Sequence, residues 1–255
     1  KTTTAAASAL LLAGRYPAKR ILLVSTDPAH SLGDSFDGKL SDAPIRSDSH
    51  PNLFLREFDA AAAIEAFKDN HGRAIKLMAD RGASFDREDI NRFFDLSFPG
   101  IDEVMAVLEL AEWVNQYDTV LIDTAPAGHT LSMLKLPATL KKWLGVFALM
   151  GEKHHLLEEH FAGRRSHDEA DSFVETLDNQ LTRVNNLLHN ARETEFVVVT
   201  NPEEMVVDET DRLLQALSAL KIPVRTLVIN RVSEASGCPY CDRRSARQNP
   251  SMERL

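Results

Sequence analysis

Lys1-Thr2-Thr3-Thr4 opens the chain and runs straight into AAASALLLAG, an Ala/Leu-rich helix former closed by Gly14. A lysine and a threonine at a helix start suit a bound triphosphate. The ammonium neutralises β/γ oxygens, a hydroxyl ligates Mg²⁺, and the unpaired N–H groups of the first turn face the anion. Two further runs carry acids suited to the same chemistry, STDPAHS at 25–31 and DTAPAGHT at 123–130, each after an apolar, β-branched stretch. Each sets one carboxylate, Asp27 or Asp123, at the mouth of a predicted buried strand and then turns the chain with Pro and small residues. Phosphoryl transfer asks for an aligned water and dense positive charge rather than covalent work by the protein. An ordinary aspartate, with a pKa near ~4, is a poor base for water. Asp27 is therefore expected to orient the attacking water and take its proton late, Asp123 to hold the water shell of Mg²⁺, and Thr2 to ligate the ion directly. Singly, KTTT reads as a capped helix start and each aspartate as an N-cap. Together the three runs point to a nucleoside triphosphatase with two switch loops.

Such loops need a rigid sheet behind them. Continuous apolar runs recur at 20–26, 52–58, 119–124, 195–200 and 224–230 and alternate with helical stretches. This pattern predicts an α/β fold with a doubly wound, mostly parallel sheet, whose ligand lies at the carboxyl ends of the strands. Asp27, Asp123, Asn201 and Asn230 all fall at such ends. With 255 residues, 44% of them hydrophobic, the chain suits one domain over 1–255. Helical insertions are expected within about 60–117 and 131–193, the first containing the Pro-Gly break of LSFPGIDE at 96–103. In the second, Leu140, Trp143, Leu144, Phe147 and Met150 make an apolar stripe that reads as core packing or as a client-binding surface. The charged run at 158–171, within the second insertion, is expected to be mobile.

Lys and Arg number 29 against 38 Asp and Glu, a net charge of -9 without long blocks, which disfavours nucleic acid as a partner. No apolar run reaches membrane-spanning length, and the only two cysteines lie three residues apart, so a cytoplasmic, reducing location is expected. Those cysteines form CPYC, Cys238 and Cys241. Structural zinc takes four ligands, so two copies of the motif facing across a two-fold axis would complete a site and make a homodimer. A redox dithiol and an inert buried pair are the competing readings. His154 and His155 read as solvated; His129 belongs to the second switch run.

In order along the chain, STDPAHS, LSFPGIDE, DTAPAGHT, ETDR at 209–212 and CPYC resemble the anion-pump ATPase family, which includes the bacterial arsenite-pump ATPase and the targeting factor for tail-anchored membrane proteins. The match spans essentially the whole chain. The resemblance implies a phosphate-loop fold of the deviant Walker A class with a helical subdomain, and an ATPase that opens and closes as a dimer with nucleotides near the subunit interface. It also implies roles for individual residues. Lys1, Thr2 and Thr3 match the phosphate and Mg²⁺ contacts, Asp27 the catalytic aspartate of switch I, and Asp123 the switch II carboxylate, followed by Pro126, Gly128 and His129. Glu203 matches a nucleotide-contacting glutamate. Asn230 matches the adenine-recognising asparagine, an amide that can donate and accept at once but that also suits a turn.

The family pattern expects a strand and a glycine-rich turn before Lys1, with a lysine that reaches across the dimer, and an adenine-side loop and helix beyond Leu255. Ser31 stands where many targeting factors carry Asn. ATP and Mg²⁺, with zinc at the dimer interface, are the expected cofactors. The load is either a tail-anchored client passed to a membrane receptor, through a groove lined by Phe93, Phe94, Phe98, Trp143, Phe147 and Met150, or an arsenite efflux pump. Either would place the protein at a membrane peripherally. A nucleotide-dependent regulatory or scaffold switch with little turnover is the alternative from another class.

Overall fold

A computed structural model describes residues 1–27, 31–82, 101–162 and 168–255, in two compact units, Thr2–Asn185 and Asn186–Leu255 together with Lys1. The larger unit is built on a four-stranded sheet of order β2-β3-β1-β4: β1 (Ile21–Ser25), β2 (Ile45–Arg46), β3 (Leu53–Glu57) and β4 (Thr119–Asp123). β1 lies between β3 and β4, parallel to both, and is buried along its whole length. With every residue buried, neither face of β1 meets water, which is why ILLV reads as a continuous apolar run. The expected strands at 20–26, 52–58 and 119–124 are present; the two-residue β2, antiparallel to β3, was not foreseen because so short an edge strand carries no periodic signal.

The two faces of this sheet are covered by different helices. Helix α1 (Thr2–Arg15) lays Ala6, Ala9 and Ala13 on Ile21, Leu23, Leu53 and Leu55, the residues that alternation and register put on one face. Small side chains at that spacing let the helix approach the strands closely. On the opposite face Phe54 meets Tyr117 edge-on at 5.3 Å and the Arg56 guanidinium reaches Glu109 at 3.0 Å, which holds α4 (Ile101–Gln116) to β3. A helix on each face of a largely parallel sheet is the doubly wound arrangement the sequence predicts.

The remaining helices of this unit are α2 (Leu32–Ser35), α3 (Ala60–Gly82), α5 (Ala127–Ala162) and α6 (Glu169–His189). α5 runs 36 residues, through Pro137. α3 and α6 join through a cluster of Phe67, His71 and Phe173, with ring centroids 4.9–6.0 Å apart, and Lys141 of α5 donates to Thr182 Oγ1 of α6 at 2.6 Å. Burial pushes the His71 pKa down, because the charged imidazolium would lose its hydration. The described ends of the charged run at 158–171 are helical. Residues 158–162 continue α5, and 169–171 begin α6, whose start Asp168 and Asp171 cap reciprocally, with Asp168 N to Asp171 Oδ2 at 3.0 Å and Ala170 N to Asp168 Oδ1 at 2.8 Å. In the stripe Leu144 is buried and Leu140 partly so. Phe93, Phe94 and Phe98, and the side chains of Trp143, Phe147 and Met150, lie outside the described residues.

The smaller unit holds a parallel pair, β5 (Val197–Thr200) and β6 (Thr226–Ile229), with α7 (Glu204–Ala219) and α8 (Pro239–Arg254). Thr200 and Thr210, both buried, share a hydroxyl hydrogen bond of 2.7 Å, which ties the end of β5 to α7.

Candidate active site at the strand ends

Asn52 sets the direction of α1. Its Nδ2 donates to the carbonyls of Ala13, Tyr16 and Lys19 at 3.0–3.2 Å, so the helix C-terminus is pinned at the amino end of β3. Fourteen residues at 1.5 Å each carry the helix about 21 Å back along strands of about 17 Å, so its N-terminus arrives at their carboxyl ends. That first turn contains no acidic side chain, which leaves its N–H groups and dipole available to an anion. Thr2 Oγ1 lies 3.3 Å from Ser31 Oγ, at the far end of STDPAHS. Lys1 and Thr3 are exposed beside it.

Three polar residues close the sheet in one row. Ser25 is in register with Glu57 of β3 and Asp123 of β4, and the three are 1%, 8% and 2% exposed. Alternation puts this row on the face that α1 covers. Backbone hydrogen bonds then fix where each switch run leaves the sheet. Thr26 N donates to Asp123 O at 3.0 Å, and Asp27 N to Ser25 Oγ at 3.3 Å. Asp27 is half-buried two residues beyond β1. Gly33 N donates to Glu57 Oε1 at 3.0 Å as the chain enters α2. Neither aspartate caps a helix: α2 is entered through Ser31, and α5 begins four residues after Asp123. Pro28, Ala29 and His30 of the first run lie outside the described residues.

The second run is mostly helix. Gly128, His129 and Thr130 form the first turn of α5, where Thr130 Oγ1 donates to Ala125 O at 2.8 Å and His129 Nδ1 lies 2.8 Å from Glu103 Oε1 in the first turn of α4. Pro126, Gly128 and His129 are exposed. A Cβ added at Gly128 would meet nothing within 4 Å among the described residues.

In the smaller unit, Glu203 holds the N-cap position of α7 without a side-chain cap hydrogen bond, and lines a cavity of about 530 Å³ with Arg244 and Arg247. Asn230 follows β6; its N–H donates to Thr200 O at 2.7 Å and its Oδ1 accepts from Arg231 N at 2.8 Å. The side-chain oxygen thus serves a local turn through one of its two lone pairs. Cys238 is the N-cap of α8 and exposed, and Cys241 is part-buried one turn on. Hydrogen bonds from the backbone of Cys241 and then of Tyr240 lower the Cys238 thiol pKa.

The Thr2 hydroxyl at the start of α1 and the Asp123 carboxylate at the end of β4 are hard oxygen ligands of the kind Mg²⁺ takes, so the donor chemistry fits it. The cysteine pair fits zinc as half of a tetrahedron, and no group of three or more potential metal ligands occurs among the described residues. Sequence reasoning missed Glu57 and Glu103 as parts of the site. The signal for Glu57 was a charged pair, Arg56-Glu57, closing an otherwise apolar strand; Glu103 lay within LSFPGIDE but read only as a helix start.

Similar proteins match this chain along nearly its whole length. ATPase GET3 of Komagataella phaffii is 31% identical, over 100% of this chain and 76% of its own length. ATPase ASNA1 homolog 1 of Paramecium tetraurelia is 32% identical over 100% of this chain and 78% of its own, and the ASNA1 homolog of Entamoeba dispar 32% over 94% and 76%. Residues 1–255 match the family model for anion-transporting ATPases, and the chain belongs to that family.

Proposed function

We propose that the strand ends of the larger unit hydrolyse MgATP, with Asp27 aligning the attacking water and Asp123 holding the hydration shell of the ion. The observation that carries this reading is the convergence of three distant runs: Thr2 beside Ser31 at 3.3 Å, and Thr26 N on Asp123 O at 3.0 Å. Lys1 and the first-turn N–H groups of α1 bind phosphate oxygens, Thr2 ligates the metal, and Thr3 adds a hydroxyl to the phosphates. Bound Mg²⁺ supplies charge to the oxygens of the transferred phosphoryl group. Asp27 holds the water through its carboxylate while Ser25 fixes its backbone. In the smaller unit, Glu203 and Asn230 are the residues we assign to nucleotide contact. Residues 1–255 act as one ATPase domain, a reading supported by a single family model over that span.

Turnover drives opening and closing of a homodimer. Its supports are the family membership and the half-site of CPYC, which a second copy would complete around zinc. Cys238→Ser with Cys241→Ser should release zinc and weaken the dimer, read by metal content and by mass in solution; a zinc-free dimer of unchanged stability would remove the metal from the assembly. The load we favour is a tail-anchored membrane-protein client, engaged by the helical region α3–α6 and delivered from the cytoplasm to a membrane receptor. It rests on the kinship with the GET3 and ASNA1 ATPases and on Leu149 of α5, an apolar side chain 68% exposed. No described helix is long and apolar enough to cross a membrane.

The test is ATPase activity of the full-length protein, alone, with arsenite, and with a tail-anchor peptide. Stimulation by the peptide alone supports the client reading, and stimulation by arsenite alone assigns the load to an efflux pump. Asp27→Asn should cut turnover by about 10²–10⁴-fold while sparing nucleotide binding. Binding with negligible turnover in the unmutated protein would instead indicate a regulatory switch.

A further inference from the structure

We propose that Glu57 is a positioning residue for hydrolysis, a buried acceptor that fixes the far end of switch I through the backbone of Gly33 and so holds Asp27 on the water. This rests on the reading of Asp27 given above. Asp27 and Gly33 bound the segment that must track the γ-phosphate. Ser25 Oγ holds the N–H of the first at 3.3 Å, and Glu57 Oε1 holds the N–H of the second at 3.0 Å. Both acceptors belong to the same strand-end row, on adjacent strands in register. The described residues on either flank of the run are therefore both hydrogen-bonded to the end of the sheet.

Gly33 is shaped for this tie. Its carbonyl accepts from Phe36 N and Gly38 N, each at 3.1 Å, and a Cβ on it would fall 2.6 Å from Gly38 O. The chain after switch I is thus wound closely around one residue, whose remaining polar group, the N–H, goes to Glu57. A carboxylate only 8% exposed at the end of a strand costs desolvation that a neutral side chain would avoid. What it provides is an acceptor oxygen whose reach matches the Gly33 N–H at 3.0 Å. A shift of about 1 Å in a positioned group can cost on the order of 10²-fold in rate.

The experiment compares Glu57→Gln, Glu57→Asp and Glu57→Ala in the full-length ATPase, with Asp27→Asn alongside. Turnover is normalised to nucleotide-binding sites, so that unfolded protein does not count. Glu57→Ala should lower kcat by roughly 10- to 100-fold with KM for ATP changed by less than about threefold. Glu57→Gln keeps an acceptor oxygen at the same reach and should recover most of the turnover. Glu57→Asp keeps the charge but draws the acceptor back, and should fall between. A ranking of Gln above Asp supports the inference even if the alanine variant does not fold. Overturning results are an alanine variant within about twofold of wild-type kcat, or an aspartate variant more active than the glutamine one, which would make charge rather than placement the requirement. If Asp27→Asn turns over normally, the role of Asp27 fails and the brace fails with it. If Asp27→Asn is inactive while the alanine variant is active, only the brace fails.

Discussion

Switch I and switch II leave neighbouring parallel strands side by side, yet they are held in opposite ways. Switch I passes from Asp27 to Gly33 as a short segment whose ends are tied by backbone N–H groups to buried side chains of the sheet. Switch II passes within four residues of Asp123 into α5, whose 36 residues extend about 54 Å. Backbone ties at Asp27 and Gly33 suit the alignment of a water at a fixed place. A segment that is already the first turn of a long helix cannot move without moving that helix, which suits transmission to α3, α4 and α6. The contrast separates the two tasks of an ATPase motor between two runs that read alike in the sequence.

The sharpest way to break this contrast is Gly33→Ala. The added Cβ meets Gly38 O at 2.6 Å, so the variant should lose about 1–3 kcal/mol of stability and, per folded molecule, most of its turnover. A stable, fully active Gly33→Ala protein would show that switch I is not held as described. For switch II, Thr130→Val removes the hydroxyl on Ala125 O and should cost about 1 kcal/mol, read by denaturant midpoint, with a weaker response of turnover to the load. Equal loss of basal turnover and of response would erase the division of labour.

Glu103→Gln is the subtler probe. Glu103 joins α4 to His129 at the surface, a contact of about 0.5 kcal/mol. Basal ATPase should stay within about twofold, while stimulation by the load falls by a comparable factor. Stimulation identical to wild type would leave α5 as the sole link. The smallest effect concerns the helical region at acid pH. The folded-state pKa of His71 lies below its ordinary value, so the fold takes up fewer protons than the unfolded chain in that window. The contribution is present above about pH 6.5 and lost as pH falls through the folded-state value. Thermal melts between about pH 7.5 and pH 5.5 should show it, and His71→Phe should flatten the slope; an unchanged slope would assign the acid sensitivity elsewhere.

Strands β1, β3 and β4 were legible because strands of a parallel sheet carry continuous apolar runs, and the candidate acids because each follows such a run. Glu57 was not legible as a functional group, since a glutamate at a strand end says nothing of its acceptor role until Gly33 is seen opposite it. Nor was the helical character of Gly128-His129-Thr130, because Pro and Gly at 126 and 128 signal a turn, whereas here Pro126 directly precedes the helix and Gly128 lies in its first turn, both tolerated at a helix start.

The sequence by itself determined the reaction chemistry and the fold class, since phosphate-binding cations, hard oxygen ligands and strand periodicity are properties of residue type and local spacing. Tertiary structure alone decided which groups cooperate. The pinning of α1 by Asn52, the row of Glu57, Ser25 and Asp123, and the Glu103–His129 contact join residues 26 to 98 positions apart, and only parallel register and helix packing bring such distant residues within hydrogen-bonding reach.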